Sequence, residues 1–498
     1  MTDLQSPTKS HYDVNLLQRA EQRRIDATHT IGLENLAQSE QFFTPVEVAQ
    51  LMAERLIPNE NIPEAVSLLD PGAGPGILTA AAIDRLTTLS PDTKIHITAV
   101  EKDTELIPQL TATLEDCVTH NPNVTYEIHN ADFIYWGTQQ QDLFGNTNEP
   151  RKFDLCIQNP PYAKLPAKSP ESLHLKAEGL HAPNLYAAFL GIAKTLLVDG
   201  GRLTAITPRS FYNGSYFTQF RQFMFDSTSI ESIHTFESRR EVFKDTGVLQ
   251  ESIITTFISS NAAPEHVELS TSRSQAHDVS SRTVDYNAVV VGDVIFVPAT
   301  DKDEHAVAWM ANATATLDKL PFTVSTGRVV DFRSRDKLTP EPGPNTVPIV
   351  YPAHFNQLGI THPKRTVTKP QYYIYNDIEH EKNLVPEGSY VLVKRFSAKE
   401  EKRRIVAAVW DGPTAAFDNK TNFFHHNGQG LDTQLAVGLA KWLNSTPVDN
   451  FFRVFSGHTQ VNAGDLKMMP YPTAEQLREI ATLSHLSPDE AVEAVIGN

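Results

Sequence analysis

The stretch QNPPY at 158–162 places an amide, two prolines and an aromatic ring directly after the apolar run FDLCI. A planar NH₂ group is a poor nucleophile because its nitrogen lone pair is delocalised. The Asn159 side-chain oxygen and the Pro160 carbonyl can each accept a hydrogen bond from such a group and favour a pyramidal, reactive nitrogen. The prolines stiffen the turn, and Tyr162 offers a face for stacking. The motif therefore predicts a site that positions a planar NH₂ group for attack.

A glycine-rich turn lies upstream in LLDPGAGPGILTAAA, where an apolar run ends at Asp70 and an alanine-rich helical pattern begins. Gly72, Gly74 and Gly76 allow the backbone to bend tightly and to approach a ligand without a Cβ clash. Their spacing is shorter than the dinucleotide-binding G-x-G-x-x-G, and no Lys-Ser or Lys-Thr pair follows as in a P-loop. The turn indicates ligand binding without identifying the ligand.

Two further acidic residues follow the next strand patterns. Glu101 ends IHITAVE, the position at which an α/β nucleotide-binding fold holds a ribose diol, and Asp132 and Phe133 lie in NADF. Together with the glycine turn they describe a pocket for an adenosine-like ligand. Glu101 would bind the ribose hydroxyls, Asp132 would accept from the adenine amino group, and Phe133 would pack against the ring. The alternative interpretation is a structural turn with surface acids.

The pattern of residues 41–260 predicts an α/β fold. Short apolar runs such as SLLD, RLTAITP and SIITTFI alternate with helical patterns such as TAAAIDRLTTL. Strands that alternate with helices predict a mainly parallel sheet, covered on both faces by right-handed crossovers. A β-rich stretch at 281–299 closes this domain. From residue 316 onwards, strands, turns and aromatic clusters follow without that rhythm, which predicts a second, α+β region.

Charge and composition restrict the function classes. The 498-residue chain has a formal net charge of −17, which by itself argues against a polyanionic partner. However, residues 320–410 hold 14 Lys or Arg against 9 Asp or Glu, so this segment either faces a polyanion or is a solvated surface. The N-terminus lacks a signal-peptide core and no run could span a membrane, so we expect a cytoplasmic protein. Cys117 and Cys156 lack metal-ligand spacing, and no metal site is predicted.

The order of the motifs resembles a known enzyme family. QFFTP at 41–45, LLDPGAGPGIL, AVEKD, NADF, QNPPY and GGRLTAITP follow one another as in the γ-class adenine-N6 DNA methyltransferases of restriction–modification systems. In the C-terminal part, STGRVVDFRSRD, VKRFSAKEEKRR and FSGHTQVNAGDLKMMPYP are similar to the PstI/BsuBI-type subfamily. The resemblance covers most of residues 41–472. It suggests methylation of adenine in a palindrome such as CTGCAG.

The resemblance implies a Rossmann-like domain that uses S-adenosylmethionine as methyl donor. The residues then expected at the donor are Phe43, Thr44, Pro45, Asp70, Gly72, Gly74, Glu101, Asp132 and Phe133. The residues expected at the target adenine are Asn159, Pro160 and Tyr162. A stacked base does not offer N6 to an in-line methyl donor, so the base is expected to flip into the pocket. Phe243 in SRREVF would form the wall opposite Tyr162.

The resemblance also implies double-stranded DNA as substrate, read by a C-terminal target-recognition domain. The basic residues expected at phosphates or guanine edges are Arg328, Arg333, Arg335, Lys394, Arg395, Arg403 and Arg404. The expected organisation is a helical arm at 1–40, a methyltransferase domain at 41–315, the target-recognition domain at 316–472 and a helical tail at 473–498. The sequence shows no nuclease element, so a cognate restriction endonuclease is expected as a separate protein.

Two alternatives stay open at this point. A protein glutamine-N5 methyltransferase of the release-factor type also uses Asn-Pro-Pro-Tyr, because its substrate is also a planar NH₂ group. That family is short and lacks QFFTP before the glycine turn. The other alternative is a non-catalytic DNA-binding protein on a methyltransferase scaffold, which the intact QNPPY motif opposes.

Overall fold

The computed structural model of the chain describes residues 15–32, 35, 42–59, 61–139, 151–236, 252–272, 279–375, 382–397, 401–456 and 460–497. By its internal contacts the chain divides into two compact units. Unit 1 comprises residues 1–212 and 216–295, and unit 2 comprises residues 213–215 and 296–498. Each unit has its own sheets and its own hydrophobic core.

The described residues of unit 1 form a nine-stranded, mainly parallel sheet in the order β3-β2-β1-β4-β5-β7-β6-β8-β9. The strands are β1 (Ala65–Pro71), β2 (Lys94–Glu101), β3 (Val124–Asn130), β4 (Phe153–Gln158), β5 (Leu197–Pro208), β6 (Thr228–Phe236), β7 (Ser252–Ser259), β8 (His266–Ser272) and β9 (Ser280–Asp285). The first five strands pair in parallel, whereas β7 is antiparallel to both β5 and β6. A hairpin of β10 (Val290–Val291) and β11 (Val294–Ile295) ends the unit.

Helices cover this sheet. They are α1 (Leu16–Ile31), α2 (Val46–Leu56), α3 (Ile77–Leu89), α4 (Ile107–His120), α5 (Phe133–Gln139), α6 (Pro170–Ala177), α7 (Leu185–Thr195), α8 (Thr218–Phe225) and α9 (Tyr286–Val289). Successive strand side chains point to opposite faces, so the complete burial of the neighbours Leu68 and Leu69 shows that both faces of β1 are covered. This burial accounts for the unbroken apolar runs in the parallel strands.

Unit 2 is an α+β region built on two sheets in the described residues. One has the order β12-β22-β19-β20-β16-β15 and the other β13-β17-β14-β21-β18. The strands are β12 (Thr323–Thr326), β13 (Leu338–Thr339), β14 (Thr346–Val350), β15 (Phe355–Asn356), β16 (Gly359–Ile360), β17 (Tyr372–Ile374), β18 (Leu384–Val385), β19 (Gly388–Lys394), β20 (Ala407–Gly412), β21 (Ala415–Phe417) and β22 (Thr421–His425). The helices are α10 (Asp301–Met310), α11 (Thr433–Leu443), α12 (Thr446–Phe455), α13 (Ala463–Met468), α14 (Ala474–Thr482) and α15 (Pro488–Ile496).

The predicted fold class is confirmed: a mainly parallel α/β domain is followed by an α+β region. The contacts divide the chain between Ile295 and Phe296, N-terminal to the expected boundary at 315/316, and the functional assignment of the domains stays a prediction. Within the described residues, no helix is both long and apolar enough to cross a membrane.

Candidate active site

A cavity of about 460 Å³ lies in unit 1 beside residues that end or follow β1, β2 and β4. Ligands of open α/β sheets bind at this carboxyl edge of the strands. The predicted site residues that line the cavity are Phe43, Gly72, Gly74, Glu101, Asp132, Phe133, Asn159 and Pro160. The predicted residues that do not line it are Thr44, Pro45, Asp70 and Tyr162. Phe243 lies outside the described residues.

The glycine turn after β1 is held by the end of β2. Gly72 and Gly74 have φ angles of +69° and +55°, in the left-handed region that favours glycine. The Gly72 amide donates to the Val100 carbonyl at 2.7 Å, and the Gly74 amide donates to Glu101 Oε2 at 2.8 Å. A Cβ atom on Gly74 would lie 3.1 Å from the Phe43 ring, which also lines the cavity. The turn therefore places backbone without side chains at the cavity surface.

Glu101, the last residue of β2, is oriented by two backbone donors. In addition to the bond from Gly74, the Asp103 amide donates to Glu101 Oε1 at 2.7 Å. The side chain is buried, and burial raises the pKa of its carboxyl group. Each carboxylate oxygen can accept more than one hydrogen bond, so the group can still accept from a ligand hydroxyl. This arrangement suits a ribose diol.

Asp132 precedes α5 and pairs with a lysine that the sequence analysis did not single out. Asp132 Oδ1 accepts from the Ile134 amide at 3.0 Å, and Oδ2 accepts from Lys102 Nζ at 2.8 Å. The hydrogen bond raises the pKa of Lys102, which also lines the cavity. The buried Phe133 ring lies 5.0 Å from the Phe189 ring between centroids. The only sequence signal for Lys102 was its place in the AVEKD motif.

Asp70 lies behind the glycine turn and not at the cavity surface. Its side chain is fully buried, and the Thr79 hydroxyl donates to Asp70 Oδ2 at 2.6 Å. Burial raises the pKa of this carboxyl group to about 7. The bond links the end of β1 to the first turn of α3. Direct contact between Asp70 and the donor stays a prediction.

Asn159 follows β4, and its amide orientation is defined by its neighbours. Asn159 Nδ2 donates to the Phe42 carbonyl at 2.6 Å and to Thr44 Oγ1 at 3.0 Å. A carbonyl oxygen can only accept, so the NH₂ end of the amide must face Phe42. Among the residues that the structure describes, none donates a hydrogen bond to Asn159 Oδ1, so this oxygen can accept from an incoming NH₂ group. The sequence predicted this acceptor but not the Phe42 and Thr44 contacts that orient it.

Comparison with known proteins shows the family. The chain is 38% identical over 461 residues to the type II methyltransferase M.BsuBI of Bacillus subtilis, covering 89% of this chain and 90% of that one. It is 39% identical over 456 residues to the type II methyltransferase M.PstI of Providencia stuartii, covering 89% of this chain and 88% of that one. The chain belongs to the type II methyltransferases. Methyltransferases of this family use S-adenosylmethionine as the methyl donor.

Two further comparisons agree with this family. The family model of the Eco57I restriction-modification methylase matches residues 83–243 of the methyltransferase. The solved structure of the type IIL restriction-modification enzyme MmeI in complex with DNA has a TM-score of 0.51 and 13% identity, covering 96% of this chain and 75% of that one. At this identity the likeness concerns the fold alone.

Tyr162 of the methyltransferase packs within unit 1. It is 5% exposed, and its ring centroid lies 6.1 Å from that of Phe42 and 6.2 Å, edge on, from that of Tyr186. Burial raises the pKa of its hydroxyl, which lies 3.5 Å from the Ile206 carbonyl. Pro45 is the residue before α2. Stacking of Tyr162 on a target base stays a prediction. Contact between Pro45 and the methyl donor also stays a prediction.

The predicted DNA-contacting residues of the methyltransferase lie in unit 2 and differ in exposure. The exposed ones are Arg328, Arg333 and Arg335, and the half-buried ones are Lys394, Arg395 and Arg403. Arg404 is 1% exposed, so the prediction that it contacts DNA is wrong in this structure. Its guanidinium lies over the Phe452 ring at 5.6 Å and donates to the Ser397 hydroxyl at 3.2 Å. The run of basic residues at 394–404 in the sequence gave no indication that the Arg404 side chain is buried.

A lysine cluster in unit 2 was not predicted. Lys369 Nζ and Lys420 Nζ both donate to Asp331 Oδ2, at 2.6 and 2.9 Å. The two lysines, with Lys394 and the exposed Phe396, line a cavity of about 500 Å³. The lysines are far apart in the sequence, so charge spacing along the chain gave no signal for the cluster.

Proposed function

We propose that this type II methyltransferase transfers a methyl group to N6 of an adenine in a short duplex DNA sequence and protects that sequence from a separate restriction endonuclease. The observation that carries the choice of a planar amine is the Asn159 amide, whose NH₂ end is held by Phe42 and whose oxygen is left to accept. Adenine N6 and cytosine N4 are both exocyclic amines. The proposal chooses adenine N6 over cytosine N4 because the QNPPY motif resembles that of the adenine-N6 class.

The cavity fits the methyl donor in size and in chemistry. Its volume of about 460 Å³ lies in the usual range for small-molecule sites. Glu101 would accept from the ribose hydroxyls, Asp132 and Phe133 would contact the adenine ring, and the glycine turn would lie against the donor without side chains. When bound, S-adenosylmethionine supplies an electrophilic methyl group and leaves as S-adenosylhomocysteine.

The protein's own part in the reaction is to prepare the target nitrogen. Asn159 Oδ1 and the Pro160 carbonyl would accept hydrogen bonds from the target NH₂ group and orient its lone pair towards the methyl group. Once the new C–N bond forms, the nitrogen is positively charged and releases its proton to solvent water, so an uncharged amide suffices and no general base is required. Base flipping would bring the adenine out of the duplex to these acceptors.

In this proposal unit 2, which contains residues 316–472, reads the target sequence. The exposed Arg328, Arg333 and Arg335 and the lysine cluster of Lys369 and Lys420 offer positive charge for phosphates or guanine edges. These groups belong to the basic segment of a chain whose net charge is −17. The enzyme would act in the cytoplasm, where a host's DNA and a cognate endonuclease are both present.

Substitution of Asn159 tests the proposal. We expect Asn159→Ala to abolish methyl transfer to DNA and to leave donor and DNA affinity nearly unchanged, because the amide matters mainly in the transition state. Transfer of a radioactive methyl group to unmethylated plasmid DNA and calorimetric donor titration measure the two quantities. The exposed Asn123 provides a matched control as Asn123→Ala, which should retain full activity. Wild-type turnover in Asn159→Ala would contradict the mechanism.

A further inference from the structure

The segment before α2 holds the side chain on which the proposed reaction depends. Asn159 Nδ2 has two acceptors there, the Phe42 carbonyl at 2.6 Å and Thr44 Oγ1 at 3.0 Å. We infer that Thr44 is a positioning residue that fixes the Asn159 amide with its oxygen towards the target amine. This inference rests on the proposed function, and the donor contact that the family resemblance implied for Thr44 stays a prediction.

The two ends of a carboxamide have nearly the same shape, so shape alone does not select one orientation. A rotation of about 180° would place Asn159 Oδ1 against the Phe42 carbonyl, where two acceptors repel each other. It would also turn the NH₂ end towards the target amine, where two donors meet. The wrong orientation is therefore unreactive. The Phe42 carbonyl, which can only accept, selects the reactive orientation, and the Thr44 hydroxyl holds the amide there with a second hydrogen bond.

The position of Thr44 favours this role over a direct contact with the donor. Thr44 is 2% exposed and does not line the cavity, whereas its neighbours Phe42 and Phe43 do. Its hydroxyl therefore influences the reaction through its hydrogen bond with Asn159. The Thr44 methyl group and hydroxyl are both enclosed by protein, which limits alternative rotamers.

The helix that follows anchors this segment. In α2, Val48, Met52 and Leu56 are fully buried in the core of unit 1. The chain enters α2 at Pro45, whose ring restricts the backbone angle directly after Thr44. The segment that leads into α2 thus places two acceptors at the end of β4, although it lies more than a hundred residues earlier in the chain.

The experiment compares Thr44→Val with Thr44→Ser. Valine keeps the shape but removes the acceptor, whereas serine keeps it. We expect kcat for methyl transfer to unmethylated plasmid DNA to fall roughly tenfold in Thr44→Val and to return to within about threefold of wild type in Thr44→Ser. The dissociation constant for S-adenosylmethionine and the KM for DNA should stay within about twofold in both.

Thr228→Val is the matched control. Thr228 is 2% exposed in unit 1 and its hydroxyl donates to the Met224 carbonyl at 2.6 Å, so this variant also removes a buried hydroxyl but should keep wild-type kcat. An unchanged kcat in Thr44→Val would overturn the inference. A weaker donor affinity with unchanged kcat would assign Thr44 to the donor instead. An equal loss in Thr44→Ser would show that the hydroxyl is not the cause.

A second readout is independent of methyl transfer. In protein labelled with ¹⁵N-asparagine, the side-chain signal of Asn159 is assigned by its loss in Asn159→Ala. We expect its NH₂ hydrogens to exchange slowly in the wild type and in Thr44→Ser, and faster in Thr44→Val. If wild-type protein methylates no DNA, the proposed function fails, while this measurement still decides whether Thr44 holds the Asn159 NH₂ group. Equal exchange in all three proteins would contradict the inference.

Discussion

Among single residues, Glu101 is the side chain on which we expect donor affinity to depend most. It is buried, and its carboxylate holds the glycine turn through the Gly74 amide. Replacing it removes both the ribose acceptor and the bond that shapes the turn. We expect Glu101→Ala to weaken S-adenosylmethionine binding by about 1.5–3 kcal/mol, measured by calorimetry. Unchanged donor affinity would remove Glu101 from the site.

The pH dependence of this affinity offers a second check on the same residue. Burial raises the pKa of Glu101, and in the proposed site the ribose hydroxyls would donate to its charged form. As pH falls through that raised pKa, the carboxyl protonates and the affinity that depends on Glu101 should decline. The decline should be reduced in Glu101→Ala and retained in the control Glu231→Ala, whose side chain pairs with Arg202 away from the cavity.

The sequence predicted the chemistry of single residues better than their contacts. Motif order was enough to group Glu101, Asp132 and Asn159 at one cavity, because residues that follow parallel strands meet at one edge of the sheet. It did not show which end of the Asn159 amide is free, since that depends on Phe42. It also did not show that Arg404 is buried, because a run of charges does not reveal which side chains face inward.

At the scale of elements, the turn between β1 and α3 lines the cavity, and we expect it to determine how closely the backbone approaches the donor. We expect Gly74→Ala to weaken donor binding roughly tenfold, because the added Cβ at 3.1 Å from the Phe43 ring displaces a cavity wall. The positive φ of +55° adds a stability cost of about 1 kcal/mol. Calorimetric donor titration and thermal unfolding separate these two effects.

Gly200 in β5 provides the matched control for this substitution. Its φ is +77°, and a Cβ atom there would meet nothing within 4 Å. Gly200→Ala should therefore lose a similar amount of stability and bind the donor as the wild type does. Equal donor affinity in Gly74→Ala and Gly200→Ala would show that the turn does not form the donor site.

The elements themselves were largely predictable in unit 1. FDLCIQ coincides with β4, and IHITAVE and RLTAITP lie within β2 and β5. The alternation of strand and helix patterns along the chain did not predict that β7 would lie between β5 and β6 in antiparallel orientation. Strand order depends on pairing between distant segments, which a local apolar pattern does not encode. In unit 2 the short strands do not alternate regularly with helices, so the sequence predicted only that the region is α+β.

At the scale of the whole molecule, an acidic enzyme is proposed to act on a polyanion. The net charge of −17 is compatible with that role because basic groups are concentrated within residues 320–410, all of which belong to unit 2. Composition alone did not distinguish a DNA-facing surface from a solvated one. The family comparison favours the DNA-facing surface, since M.BsuBI and M.PstI are type II methyltransferases and each matches 89% of this chain.

The most direct test of the central claim is to express the chain in a host that lacks adenine methylation and to map modified bases by single-molecule sequencing. We predict N6-methyladenine at one short motif, and none in a strain that expresses Asn159→Ala. Methylated cytosine in place of adenine would contradict the proposed base. Unmodified DNA beside a methylated protein glutamine would contradict the proposed substrate.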